Sequence, residues 1–301
     1  MEHSIETLQK VLNSLMNRYK ERVPDVAAII DTMIDNNIIN GFEDIENDHI
    51  AFRTLGVPHL GIASFEKIFL HYGYKKRDAY FFKEKKLDAY WYAPPEDRFP
   101  RIFASELKVD QLSKQSQNII HTYTNAIKKD PVDDLNLNDD IAVDAFLHSP
   151  LWGTPSLSDY KILAAESEYA AWVIYNRYYL NHFTISVHNL KEGYNTIADF
   201  NQFLETNGFK LNDAGGKIKT SPDKGLLQSS TVAGMVEATF AGGEKQMIPG
   251  SYVEFAERRI LPQYVHLPRY SIKREHRREG FEAGNADKIF ESTYAAQTER
   301  T

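Results

Sequence analysis

No cysteine occurs among the 301 residues. Disulfides, thiolate metal sites and a cysteine nucleophile are therefore excluded, and any metal must be held by imidazole, carboxylate or water. A G-x-S-x-G elbow is missing, and the glycines compose neither a P-loop nor a dinucleotide fingerprint, so hydrolase and nucleotide readings have no motif to rest on. Long apolar runs are missing as well. The opening MEHSIETLQKVLNSLMNRYK mixes charges into a helical apolar spacing; it reads as neither signal peptide nor membrane span, and the default expectation is a cytoplasmic protein. Positive charge is not in excess either, since the net charge is −7, which argues against nucleic acid as a partner.

What is present is an ordinary globular composition, 42% hydrophobic and 26% charged, in a chain long enough to bury a full core. Ile5, Leu8, Leu12, Leu15 and Tyr19 recur at helical spacing, and a second amphipathic stretch starts at Pro24 and runs to about Asn36. After Gly41 the period changes to two in DHIAFRTL, then to a helix-like GIASFEKIFLHYG, then to three strand-like runs, RDAYFFKEKK, LDAYWYAPP and PRIFASELKV. Residues 114 to 180 carry helical signals, clearest in LSDYKILAAESEYAAWVIYNRYY, behind an acidic loop DPVDDLNLNDD. The earlier order then returns, with LNHFTISVHNL alternating, NTIADFNQFLETNGF helical, and KGLLQSSTVAG, GMVEATFAGG and GSYVEFAERR strand-like. A β-α-β-β-β unit used twice is the expected organisation, and such repeats decide a fold more securely than single elements. The expected segments are a helical preface (1 to 41), a first unit (42 to 113), a helical insertion (114 to 180), a second unit (181 to 260) and a C-terminal cap (261 to 301).

The duplication also locates chemistry. Each unit opens on a strand with a histidine behind an acid or its amide, DHIAF and NHFTI, and each closes on a strand holding a glutamate, ASELKV and YVEFAE. Four comparable positions result: His49, Glu106, His182 and Glu254. Taken singly, each reads equally well as a solvent-facing residue on a half-wet strand. Taken together, two imidazoles and one carboxylate suit a metal that keeps positions open for ligands, such as non-haem Fe(II), although Zn, Mn, Co or Ni also accept this set. Arg53 shares the face of His49 and could hold a substrate carboxylate through two parallel hydrogen bonds. Arg258 shares the face of Glu254 and is a candidate to orient that carboxylate or the substrate. His188 lies too far along its strand from His182 to share one ion and is expected at a rim or exposed. The basic run KREHRR at 273 to 278 is expected to be a solvated turn or helix face.

DHIAFRTL, the NHFT strand, YVEFAER and the terminal GFEAGNADKIFEST resemble the 2-oxoadipate dioxygenase/decarboxylase family, over most of residues 42 to 293. The resemblance implies an α+β fold of the vicinal oxygen chelate type, two βαβββ units forming a curved, half-open barrel. It implies Fe(II) bound by His49, His182 and Glu254, with Arg53 holding the substrate, and it leaves Glu106 without a ligand role. Gln228 in LLQSSTVA matches a family segment near the pocket and becomes a candidate substrate contact, while Leu227 stands where the family has an arginine. The implied reaction is oxidative decarboxylation and hydroxylation of a 2-oxo acid, 2-oxoadipate to 2-hydroxyglutarate and CO2, with O2 as co-substrate. The competing expectations are a metal-dependent lyase or isomerase of the same fold and a non-catalytic oxo-acid-binding protein.

Overall fold

The computed structural model describes residues 2–300. Two helices open the chain, α1 (Glu2–Arg22) and α2 (Pro24–Asp35), followed by β1 (Asn47–Leu55), α3 (Ile62–His71), β2 (Lys75–Phe82), β3 (Leu87–Ala93) and β4 (Arg101–Leu107). Four helices intervene, α4 (Lys114–Thr124), α5 (Asp140–His148), α6 (Leu157–Glu166) and α7 (Glu168–Asn176). Then come β5 (His182–Ser186), α8 (Ile197–Thr206), β6 (Lys219–Thr220), β7 (Leu226–Ser230), β8 (Met235–Thr239), β9 (Lys245–Pro249), β10 (Tyr252–Arg258), α9 (Ala283–Ile289) and α10 (Ala295–Thr298).

The eight-stranded sheet runs β2-β3-β4-β1-β5-β10-β7-β6. Its two halves mirror each other, with β1 and β5 side by side at the centre, each joined in parallel to the last strand of its own unit. This is the expected pair of βαβββ units closing a half-open barrel. One strand differs from expectation. GMVEATFAGG supplies β8, which leaves the sheet and pairs with β9 as a separate ribbon, and the sheet position is filled instead by β6, a strand of two residues. The long helical run after residue 157 is likewise two helices, because Ser167 takes an extended backbone and its hydroxyl accepts from the amide of Ala170 to start α7 afresh.

Both faces of β1 are buried. Ile50 and Phe52 point to the convex side, where Phe52 stacks on Phe65 and Phe69 of α3 with ring centroids 4.6 and 5.8 Å apart. In the second half Phe255 of β10 meets Phe200 of α8 at 5.1 Å in the same way. Period two then turns His49, Ala51 and Arg53 to the concave side. α9 and the 3₁₀ turn Phe290–Thr293 lie across that concavity, and Phe281 packs on Phe103 at 5.0 Å.

Strand register corrects the pairing of the two glutamates. His49 stands opposite Arg101 and His182 opposite Tyr252, so the residues five places on, Glu106 and Glu257, are the matched pair, and the counterpart of Glu254 is Phe103. The matched glutamates do the same work. Glu106 Oε2 accepts the amide N–H of Ile62 at 2.7 Å, and Glu257 Oε2 accepts that of Ile197 at 2.8 Å, each closing the N-terminus of the helix that follows its unit's first strand. Gly61, at φ +81°, lets the chain turn there, and a Cβ at that position would collide with the Glu106 carboxylate. Glu106→Ala is therefore expected to cost about 0.5–2 kcal/mol of stability in a denaturant titration while leaving metal binding unchanged.

Candidate metal centre

β1, β5 and β10 are adjacent in the sheet, and this places His49, His182 and Glu254 on one patch of the concave face. Their ligand atoms all lie within 4.8 Å of one another, and all three residues are buried. His49 Nε2 is 3.4 Å from Glu254 Oε1 and 3.4 Å from His182 Nε2, and His182 Nε2 is 3.0 Å from Glu254 Oε2. Bonds of roughly 2.1 Å at right angles set ligand atoms about 3 Å apart, so these three fit around one ion with little movement. The donors, two nitrogens and one carboxylate without thiolate, suit a hard or borderline divalent metal.

Each imidazole is oriented by the residue before it. Asp48 Oδ1 lies 2.8 Å from His49 Nδ1, and Asn181 Oδ1 lies 3.1 Å from His182 Nδ1, which leaves Nε2 of both rings for the centre. Asp48 is itself clamped by Arg258, whose Nε and Nη2 donate at 2.6 and 2.9 Å, with Arg101 Nη1 further off at 3.3 Å. Burial disfavours the Asp48 carboxylate, but the two guanidiniums outweigh it and hold its pKa well below the usual range. Burial likewise opposes charge on Glu254, yet both histidines outweigh it and lower its pKa. For His49 burial is overcome by Glu254 and Asp48 and the pKa rises; for His182, which has only an amide behind it, burial prevails and the pKa falls.

The cavity in front of these groups has a volume of about 20 Å³, and the cap residues Phe281, Ile289 and Phe290 help to close it. Arg53 forms part of its wall. The residue is 1% exposed, and its guanidinium donates to Thr293 Oγ1 at 2.9 Å and to the Phe290 carbonyl at 3.0 Å and lies against the rings of Tyr169 and Trp172 at 5.1 and 5.2 Å. Among the described residues its Nε and the Tyr252 hydroxyl have no hydrogen-bond partner, although both are buried.

The two other expected substrate contacts, Gln228 and Arg258, are placed differently. Gln228 borders the cavity, but its amide is engaged at both ends, Nε2 donating to Glu254 Oε1 at 2.6 Å and Oε1 accepting from Asn285 of the cap at 3.0 Å. Arg258 stands outside the cavity, its donors used on Asp48 and on the carbonyls of Arg278 and Gly280, because four residues of strand carry it about 13 Å beyond Glu254. His188 is neither rim nor exposed: the strand ends at Ser186, and its ring is buried in a 3₁₀ turn, accepting the Arg258 amide N–H at 3.2 Å. Residues not singled out from sequence include Asp48, Tyr252, and Asn285, Ser292 and Thr293 of the cap. The shared acid-or-amide-before-histidine pattern carried the signal for Asp48 and Asn181.

A family profile described as 2-oxoadipate dioxygenase/decarboxylase matches residues 11–267. The chain belongs to that family. The chloroplastic 2-oxoadipate dioxygenase/decarboxylase of Arabidopsis thaliana is 44% identical over 305 residues, which cover 97% of this chain and 79% of the relative. A relative of the same name from Oryza sativa subsp. japonica, chloroplastic/amyloplastic, is 43% identical over 302 residues, 96% of this chain and 79% of its own. The crystal structure of the Oryza sativa hydroxyglutarate synthase in complex with 2-oxoadipate superposes with a TM-score of 0.90 at 42% identity, covering 100% of this chain and 96% of that one. A putative glyoxalase superfamily protein from Ralstonia eutropha shares the fold, with a TM-score of 0.72 at 22% identity over 93% of this chain and 87% of its own. The chain is thus an enzyme family member with a barrel of the vicinal oxygen chelate type. The expected cytoplasmic location is corrected by the plastid assignments that both named relatives carry. No helix among the described residues is long and apolar enough to cross a membrane.

The backing of His49 yields a measurable expectation. Asp48→Asn keeps the shape but removes the charge that Arg258 and Arg101 surround, so metal affinity is expected to fall roughly 10- to 100-fold in a chelator competition.

Proposed function

We propose that the chain binds Fe(II) through His49, His182 and Glu254 and converts 2-oxoadipate and O2 to 2-hydroxyglutarate and CO2. The carrying observation is Arg53, a buried guanidinium with no carboxylate in ion-pair distance among the described residues, in the wall of the cavity onto which the three ligands converge. A buried charge without a counter-charge is destabilising by several kcal/mol, and a substrate carboxylate offsets it through the unused Nε and the fork geometry. The names of the relatives and the 2-oxoadipate complex of the rice enzyme support the same substrate.

Fe(II) held by His49, His182 and Glu254 would supply the one-electron chemistry that dioxygen requires. The chain's own residues do the rest. Asp48 and Asn181 fix the imidazole rings, Gln228 aims the Glu254 carboxylate, Arg53 and Tyr252 present donors to the oxo acid, and Phe103, Phe281 and Phe290 keep bulk water away from the reacting carbons. The atoms balance: the departing carboxylate leaves as CO2, and the two oxygen atoms of O2 end in the new carboxylate and the new α-hydroxyl.

The test is anaerobic reconstitution with Fe(II), then addition of 2-oxoadipate and air, following O2, CO2 and 2-hydroxyglutarate. Consumption and both products in a 1:1:1 ratio are expected. Full iron occupancy without O2 uptake would remove the assigned reaction; conversion of the oxo acid without O2 would favour the lyase reading, and binding without conversion the non-catalytic one.

A further inference from the structure

A second cavity, of about 320 Å³, lies behind Asp48. Asp48 is shared: its carboxylate supports His49 of the metal centre and also lines this cavity, whereas none of the three metal-site side chains does. The walls are rich in cations, Arg98, Arg101, Arg258, Lys273, Arg274 and Arg277, set against Glu46, Asp48 and Asp97.

Most of these charges are already committed. Arg258 and Arg101 are held by Asp48, Arg101 also by Glu279, and Arg98 pairs with Glu96. Glu46 faces Ser186 and Asn189, its two oxygens accepting at 3.2 and 2.5 Å. Arg274 and Arg277 are left. Arg274 donates through Nη1 to the carbonyls of Asp97 and Phe99, but its Nη2 is buried without a hydrogen-bond acceptor among the described residues, its one ion pair there being a long one of 4.0 Å to Glu279. Arg277 donates to the Arg258 carbonyl and has no carboxylate in ion-pair distance among the described residues, and the same holds for Lys273. His188, in the wall beside them, is kept neutral by burial and by Arg277, its pKa pushed down to about 3. Burial lowers the pKa of Arg274 and Arg277, and for Arg274 repulsion by Arg101 adds to it. An anion would satisfy the orphan Nη2, pair the free guanidinium and relieve the crowding of like charge.

We propose that this cavity is a second anion site, in which Arg274 and Arg277 take a small oxyanion, carboxylate or phosphate. It is separate from the substrate cavity and stands independently of the reaction proposed above. Through the Arg258–Asp48–His49 chain of hydrogen bonds it is coupled to the metal centre, because the guanidinium that clamps Asp48 also forms its wall.

Calorimetric titration of the iron-loaded full chain under anaerobic conditions tests the site, with sodium sulfate as the tetrahedral probe and succinate as the dicarboxylate probe. One site that persists in Arg53→Gln is expected, at least ten-fold weaker in Arg274→Gln and in Arg277→Gln; the tighter of the two probes at that site identifies the source chemistry. Absence of saturable binding by either probe overturns the proposal, as does binding lost in Arg53→Gln and kept in Arg277→Gln. A measurement without variants stands beside it: wild-type crystals soaked in sodium selenate should show an anomalous peak between Arg274 and Arg277, and an adventitious ion only, scattered over surface lysines with this cavity empty, would count against the site.

Discussion

Alanine at His49, His182 or Glu254 is expected to abolish iron retention after desalting and to lower turnover by roughly a thousandfold or more, a loss of about 4 kcal/mol in barrier terms. The three positions are not equivalent. His49 is backed by a carboxylate that two arginines hold ionised, His182 by an amide, and Glu254 by a single Gln228 hydrogen bond. Only neutral imidazole ligates, so protons compete with the metal and occupancy must fall as pH falls. Burial disfavours the imidazolium of His49, but Glu254 and Asp48 raise its pKa above the ordinary histidine value, so competition begins at this ring while His182, with a lowered pKa, is still neutral. Iron content after equilibration across a pH series checks this. Wild-type iron content should fall on acidification, and in Asp48→Asn the onset should move to lower pH relative to that variant's own neutral-pH occupancy. Retention of iron by the Glu254→Ala chain at wild-type level would remove the assigned ligand set.

Much of this centre was readable along the chain because strand alternation is a local rule. NDHIAFRTL could only turn His49 and Arg53 to one face and Ile50 and Phe52 to the other, and the structure buries both faces, the apolar one under α3 and the polar one in the barrel. The repeat of β-α-β-β-β was legible for the same reason. What alternation does not carry is register between strands. Glu106 and Glu254 looked like counterparts, but pairing across β1–β4 and β5–β10 matches Glu106 with Glu257, three residues further on, and both turn out to close helix N-termini. Nor does alternation carry reach: Arg258 does share the face of Glu254, yet it lies far enough along the strand to serve Asp48 instead. GMVEATFAGG has a strand's composition, but which strand it pairs with is decided by the loop that follows, and it pairs with β9 outside the sheet. The cap was harder still, since Thr293 meets Arg53 and Asn285 meets Gln228 across 240 and 57 residues, contacts that no window of sequence contains.

Arg53→Ala is expected to keep full iron occupancy and lose roughly 100- to 1,000-fold in kcat/KM, mostly as a rise in KM, the scale of about 3–4 kcal/mol for one partner of a buried, hydrogen-bonded charge pair. Arg53→Lys retains the charge but not the planar fork, so it should fall between the two. A purely structural role predicts something different. Arg53 ties the cap down through Thr293 and the Phe290 carbonyl, and if that were its whole function the alanine variant would melt earlier and lose iron along with activity. The pattern of an intact iron site with a raised KM separates the two. The same variant identifies which end of the substrate the guanidinium takes, using 2-oxohexanoate, which lacks the distal carboxylate of 2-oxoadipate. If Arg53 binds that distal group, the wild-type chain turns over 2-oxohexanoate poorly and Arg53→Ala turns it over no worse, since the partner is already missing. If it binds the carboxylate lost as CO2, both substrates suffer equally from the substitution. The cavity favours the distal assignment, because Arg53 stands among Tyr169, Trp172 and the cap rather than among the metal-site donors, with none of its hydrogen bonds reaching His49, His182 or Glu254.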